Sequence, residues 1–209
     1  MRFVKICGIT RAEDALAAVA LGANALGFVF WPASPRCIDP LKARHIVVTL
    51  PPSVTAIGVF VDQPAAEVTR IAEQVGLGAV QLHGHEDEKY VRAMNRPVIK
   101  AVPVDGAQAT EVARWPRDVT VLLDVHDPVK KGGTGRTIDW AAAAAVAAER
   151  NIILAGGLTA DNVAEAVTTV HPYGIDVSSG VEAEPGIKDY ERLRALFEVV
   201  HGSRDAARS

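Results

Sequence analysis

Phe3-Val4-Lys5-Ile6-Cys7-Gly8-Ile9-Thr10-Arg11-Ala12-Glu13 reads as a strand delivered into a helix. Residues 3–7 are a short, mostly apolar run of strand length, and Gly8 closes it. Thr10-Arg11-Ala12-Glu13 has the spacing of a capping box, in which Thr10 and Glu13 each satisfy an orphan donor of the helix start. The helix that follows is expected to turn Leu16, Val19 and Ala20 to one face.

The same unit repeats along the chain. Further strands are expected at 25–30, 54–61, 79–82, 98–102, 119–123, 152–155 and 175–177. Helical patterns at 41–48, 64–75, 86–94, 107–114, 139–150, 159–170 and 190–200 alternate with them. Strict βα alternation means a parallel sheet. Eight units in a chain of 209 residues fit a single-domain (β/α)8 TIM barrel over 1–201, with a small polar tail at 202–209 expected to fray. A doubly wound open sheet is the rival, and it normally has fewer strands for this length. Gly8-Ile9-Thr10 and Gly157-Leu158-Thr159 each follow a strand and open a helix, which suits a fold of repeated units or simply good βα turn chemistry. The Gly-rich stretch from Lys130 to Arg136 lacks Walker spacing, so it reads as a mobile lid or a plain surface loop.

Composition narrows the function. With 49% hydrophobic residues the chain can bury a large core without staples. Its net charge of -3, with acids and bases mixed along the chain, argues against nucleic acid or an anionic membrane surface as a partner. No apolar run is long enough to span a bilayer, and Arg2 and Lys5 interrupt the start where a secretory signal needs an apolar stretch. A cytoplasmic protein with Cys7 and Cys37 reduced is expected, a disulfide between them being the alternative. Monomer and homodimer both stay open.

In a parallel barrel the chemistry sits at the C-terminal strand ends. The polar residues there are Cys7, Arg36, His83, Asp124, Gly156 and Gly157, and the run from Asp176 to Gly180. Gly156-Gly157 before Thr159, and Ser178-Ser179-Gly180, offer close backbone approach, amides and hydroxyls at two adjacent strand ends. That pattern suits a phosphate, and its plain alternative is a pair of capped turns. Period-two alternation puts Phe3, Lys5 and Cys7 on one face, so Lys5 and the following helix start would favour thiolate at Cys7. A small core cysteine is the competing reading. Asp124 ends the apolar strand Val121-Leu122-Leu123, where desolvation would raise its pKa and suit a general acid; a cap is the alternative. The planar fork of Arg36 suits a substrate carboxylate, or is a solvated loop charge. His83 and His85 form a His-x-His pair, but no further ligands complete a shell, so no metal is expected.

Taken in order, these motifs resemble the phosphoribosylanthranilate isomerase family. The pieces are Lys5-Ile6-Cys7-Gly8-Ile9-Thr10, Gly27-Phe28-Val29-Phe30 with Ser34-Pro35-Arg36, Gly58-Val59-Phe60-Val61, Val80-Gln81-Leu82-His83-Gly84 and Leu122-Leu123-Asp124. Gly132-Gly133-Thr134-Gly135 with Asp139-Trp140, Ala155-Gly156-Gly157-Leu158 with Asn162, and Asp176-Val177-Ser178-Ser179-Gly180-Val181-Glu182 with Pro185-Gly186 follow. The resemblance spans all but the polar tail. It implies an Amadori rearrangement of a phosphorylated small-molecule substrate without a cofactor, because the substrate supplies its own electron sink. It implies Cys7 as general base, Asp124 as general acid, Arg36 on the anthranilate carboxylate, and the Gly156-Gly157 and Ser178-Ser179-Gly180 loops on the phosphate. His83 and Asp176 would line the site. Val125-His126-Asp127 departs from the small hydroxyl residue expected after Asp124 and leaves Asp127 as a second carboxylate. A related phosphosugar isomerase, a dual-substrate isomerase of histidine and tryptophan biosynthesis, and a non-catalytic barrel binding a phosphorylated ligand are the rivals.

Overall fold

The computed structural model describes residues 3–103, 108–124 and 140–206. Eight parallel strands pair in chain order, and the last returns to the first, so the sheet is a closed barrel. They are β1 (Phe3–Cys7), β2 (Ala25–Val29), β3 (Thr55–Phe60), β4 (Ala79–Leu82), β5 (Val98–Pro103), β6 (Thr120–Asp124), β7 (Ile152–Ala155) and β8 (Gly174–Val177). Closure rests on the β1–β8 register, in which Phe3 faces Gly174 and Lys5 faces Asp176. A closed ring excludes the open doubly wound sheet.

The helices between them are α1 (Ala12–Leu21), α2 (Pro40–Val47), α3 (Ala65–Val75), α4 (Glu88–Arg92), α5 (Gln108–Ala113), α6 (Trp140–Glu149), α7 (Val163–Val170) and α8 (Tyr190–Ala206). Alternation along each strand sorts the side chains into two layers. Phe3, Ala25, Ile57, Ile99, Leu122 and Ile153 pack inside the barrel. Val4, Ile6, Leu26, Phe28, Val121 and Leu123 point outward and pack under the helices. Both faces of every strand are therefore dry, which is why the strands read as unbroken apolar runs.

Several local expectations give way to long-range contacts. Thr10 does not cap α1: its hydroxyl donates to the Gly186 carbonyl, and Arg11 is the N-cap residue, with no side-chain cap bond. The buried face of α1 is Asp14, Ala15 and Ala18, while Leu16 is 52% exposed. Asp14 is tolerated inside because Arg11 Nη2 donates to it at 2.6 Å and the Lys188 amide at 3.0 Å. Helix α7 starts at Val163, four residues after Thr159, which opens a turn instead. The final helix runs on to Ala206, past Val200 where it was expected to end.

One element was not foreseen. After β8 a short 3₁₀ turn (Ser179–Val181) leads into an antiparallel hairpin of β9 (Glu182–Glu184) and β10 (Ile187–Lys188). It sits between the eighth strand and the last helix, at the rim where Cys7 emerges. The Lys130 to Arg136 loop, and Asp127 with it, lie outside the described residues.

Leu122 has no exposure and fills the barrel interior. Leu122→Ala is expected to lower the unfolding free energy by about 2–5 kcal/mol, measured by urea titration. A loss under about 1 kcal/mol would contradict a close-packed interior at this position.

Candidate active site

Leu122 and Phe3 point into the barrel, so Asp124 and Cys7, an even number of residues further along their strands, point the same way. Both strands end at the same rim, because all eight are parallel. The thiol and the carboxyl group therefore open on one mouth.

Cys7 is 8% exposed. A side chain on Gly27 of the neighbouring strand would place its Cβ 2.7 Å from Cys7 Sγ and 3.0 Å from Lys5 Nζ. Glycine at that position is what lets the sulfur and the ammonium gather over β2. Lys5 has no exposure, and its Nζ donates to Asp176 Oδ2 at 2.8 Å. Burial pulls the Lys5 pKa down, but Asp176 and Cys7 outweigh it and the net direction is up, so the lysine stays charged. For Cys7 the balance goes against the sequence-based expectation. Burial pushes the thiol up, Lys5 pulls it back, Asp176 adds to the rise, and the net direction is up. The resting residue is a thiol with a cation beside it.

Asp124 closes β6 with its side chain 20% exposed. His83 Nε2 lies 3.0 Å from its Oδ2, and His83 Nδ1 lies 3.2 Å from Gln81 Nε2. With the Gln81 amide donating, Nδ1 accepts, and the ring proton on Nε2 points at the carboxylate. Asp124 is thus not isolated over a dry core, as the sequence suggested. It is half of a pair. His85 is turned away, 97% exposed and 3.1 Å from Asp62, so the two histidines do not share a centre.

Arg36 crosses the rim close to Cys7. Gly8, at φ +77°, keeps a left-handed turn there, and a Cβ on it would lie 2.7 Å from Arg36 Cδ and 3.2 Å from Ser178 Oγ. The guanidinium is held by Glu182, with Nε to Oε1 at 2.9 Å and Nη2 to Oε2 at 2.6 Å. Nη1 makes no hydrogen bond among the described residues.

The two glycine-bearing loops touch. Gly156 and Gly157 both have positive φ, and Asn162 ties the loop by donating to the Gly157 carbonyl at 3.0 Å while accepting from the Thr159 amide at 2.8 Å. Gly180 packs against the Leu158 carbonyl, and a Cβ there would lie 1.8 Å from that oxygen. Ser179 and Gly180 begin a helical turn, whose first amides have no partner inside the turn. Ser178 Oγ donates to the Cys7 carbonyl at 3.2 Å. Ser179 is exposed beside it. The mouth therefore brings together Cys7, Arg36, Asp176 and Ser178 on one side, and His83 with Asp124 further round.

Sequence reasoning missed Glu182 and Lys188 as functional positions, and gave Gln81 no role. Asp176 Oδ1 and Gln81 Oε1 are buried acceptors with no partner among the described residues. Buried acceptors are rarely left so.

Residues 4–199 match the family model described as N-(5'phosphoribosyl)anthranilate (PRA) isomerase. An N-(5'-phosphoribosyl)anthranilate isomerase of Pelobacter propionicus is 50% identical over 201 residues, 96% of each chain. The crystal structure of phosphoribosyl anthranilate isomerase from Thermotoga maritima is 44% identical and superposes with a TM-score of 0.89 over 97% of this chain and 100% of that one. A further solved isomerase, in complex with reduced 1-(o-carboxyphenylamino)-1-deoxyribulose 5-phosphate, is 42% identical with a TM-score of 0.86, covering 97% of this chain and all of that one. The barrel, its ordered motifs and these likenesses agree: the chain belongs to the phosphoribosylanthranilate isomerase family.

Proposed function

We propose that the protein catalyses the Amadori rearrangement of N-(5-phosphoribosyl)anthranilate to 1-(2-carboxyphenylamino)-1-deoxyribulose 5-phosphate, a step of tryptophan biosynthesis, in the cytoplasm. The observation that supports the reading is that Cys7 and Asp124 open on one barrel mouth, with Arg36 and the Ser178 turn at the same rim. The Ser178-Ser179-Gly180 turn and the Gly156-Gly157 loop take the phosphate through backbone amides. Arg36 takes the anthranilate carboxylate with the guanidinium end that Glu182 leaves open. Asp176 Oδ1 and Gln81 Oε1 accept from ribose hydroxyls.

The chemistry is a series of proton transfers: one to the ring oxygen, one from C2, and a last one to C1 as the C2 hydroxyl loses its proton. Asp124 acts as the general acid: with His83 Nε2 held 3.0 Å from its Oδ2, its other carboxyl oxygen delivers the proton to the furanose ring oxygen. The C1–O bond breaks, the anthranilate nitrogen supplies its lone pair, and a protonated Schiff base forms at C1. That cation acidifies the C2 proton. It also favours the thiolate of the nearby Cys7, whose sulfur removes the C2 proton. The resulting enolamine tautomerises to the ketone. General acid and general base each supply about 10²–10⁴-fold, and anchoring at both ends of the substrate supplies much of the rest.

A fluorescence assay with N-(5-phosphoribosyl)anthranilate tests the activity itself; no turnover by folded protein would reject it. Cys7→Ala is expected to lower kcat by about 10²–10⁴-fold while leaving affinity for a reduced product analogue within about threefold. Survival of turnover within about tenfold would remove the thiol from the mechanism. Asp124→Asn is expected to lose far more kcat than Asp127→Asn, and the reverse order would move the acid to Asp127.

The direction of the Cys7 shift fixes a pH dependence. The competent form of a base is deprotonated, and burial moves the Cys7 thiol above its ordinary range. The kcat/KM of the free enzyme is therefore expected to climb with pH through neutrality and not to level off before the usual thiol range. A flat profile between about pH 6 and pH 8 would show that no such thiol limits the reaction.

A further inference from the structure

One buried lysine ties the three working parts of the mouth together. Lys188 has a side chain with no exposure, on the hairpin strand β10. Its Nζ donates to the Cys7 carbonyl, to the Ser178 carbonyl at 3.3 Å and to Glu182 Oε1 at 2.8 Å. Glu182 is equally buried and grips Arg36 through Nε and Nη2, while the Gly186 amide donates to its Oε1 at 3.2 Å. Its own carbonyl accepts from Arg192 Nη1, which fixes the hairpin to α8.

The donor count makes this more than a stray ion pair. An ammonium has three donors, and all three of these partners lie on segments that bear site residues. One is the last residue of β1, one is the turn after β8, and one is the counterion of the rim arginine. Both partners are desolvated, so such a pair adds little net stability against an apolar replacement. Its directional bonds, however, fix where three separate segments stand relative to each other.

The geometry points to Glu182 and Lys188 as positioning residues of the isomerase: Lys188 sets the spacing between the Cys7 end of β1 and the Ser178 turn, and Glu182 sets the plane of Arg36. This rests on the roles proposed above for Cys7, Arg36 and the Ser178 turn. Glu182 takes the Nε–Nη2 edge, so the Nη1–Nη2 end of the fork is presented to a carboxylated ring, in one orientation. The pair thus couples recognition of the two ends of the substrate to the position of the thiol.

The test uses the full chain with four variants: Arg36→Ala, Glu182→Gln, Lys188→Met and the double variant Glu182→Gln/Lys188→Met. Thermal unfolding, KM and kcat, affinity for a reduced product analogue and competitive inhibition by inorganic phosphate are measured on each. Glu182→Gln is expected to raise KM and weaken the analogue at least tenfold, with phosphate inhibition within threefold of the parent. Lys188→Met leaves Glu182 charged and half-paired, and is expected to lower the unfolding temperature as well as kcat. The double variant removes both charges and is expected to recover the unfolding temperature while kcat/KM stays at least tenfold down. Recovery of kcat/KM to within threefold of the parent would reduce the pair to a structural role. Unchanged or tighter analogue binding in Glu182→Gln would overturn the inference, since an Arg36 freed of its counterion carries more net attraction but no fixed plane. Arg36→Ala separates the two readings. If it fails to weaken the analogue, the assignment of Arg36 falls. If it weakens the analogue and Glu182→Gln does not, the positioning role falls alone.

Discussion

A lysine without solvent exposure stands inside the barrel, and its charge must be matched there. Lys5 finds its counterion at 2.8 Å on the strand that closes the ring, Asp176 of β8. A buried pair of this kind is poor evidence of net stability, because desolvating both charges costs about as much as their attraction returns. What it does supply is register. A one-residue slip of β8 along β1 would turn Asp176 out of the interior and leave the Lys5 ammonium alone in a dry medium. The strand pairing that closes the barrel and the electrostatics that surround the sulfur are therefore the same contact. The Asp176 oxygen not used by Lys5 has no hydrogen-bond partner among the described residues.

Closure also explains how a small chain assembles a site from distant parts. With β8 beside β1, the turn at Ser178 lies against Cys7, 171 residues away in sequence. The β9–β10 hairpin then needs only a few residues to send Lys188 under both carbonyls and Glu182 to Arg36. On the far side, β4 and β6 bring His83 to Asp124 across an intervening strand. The half of the mouth that holds Arg36 and Lys188 and the half that holds His83 and Asp124 are thus built by different strands.

Much of this could be read in the sequence, and the divide is physical. The βα alternation, the eight strands and the inward direction of Cys7 and Asp124 follow from local pattern and period, which the fold keeps. The failures are places where a long-range partner outbid a local one. Thr10 has the spacing of a cap, yet the Gly186 carbonyl 176 residues on takes its hydroxyl. Asp14 is a residue expected outside, yet it is buried because Arg11 and the Lys188 amide satisfy it, and Leu16 is displaced to the surface. Glu182 lay within a quoted motif and still carried no visible role, since nothing local announces a counterion 146 residues from its arginine. Lys188 had no local signal at all.

The raised thiol looks at first like a poor choice for the base proposed at Cys7, but the surrounding charges bear on it. Lys5 and Asp176 neutralise each other, while Glu182 faces two cations, Arg36 and Lys188. A permanently ionised carboxylate at position 7 would stand beside Asp176 and compete with it for Lys5 in a dry layer. A thiol is neutral at rest, so it can be buried there at little cost. An arriving cation would favour its anionic form, and the protonated Schiff base of the proposed reaction would be such a cation. On this argument the same burial that holds the resting thiol up makes the sulfur respond most strongly to its substrate, because the attraction between the two charges is least screened where water is excluded.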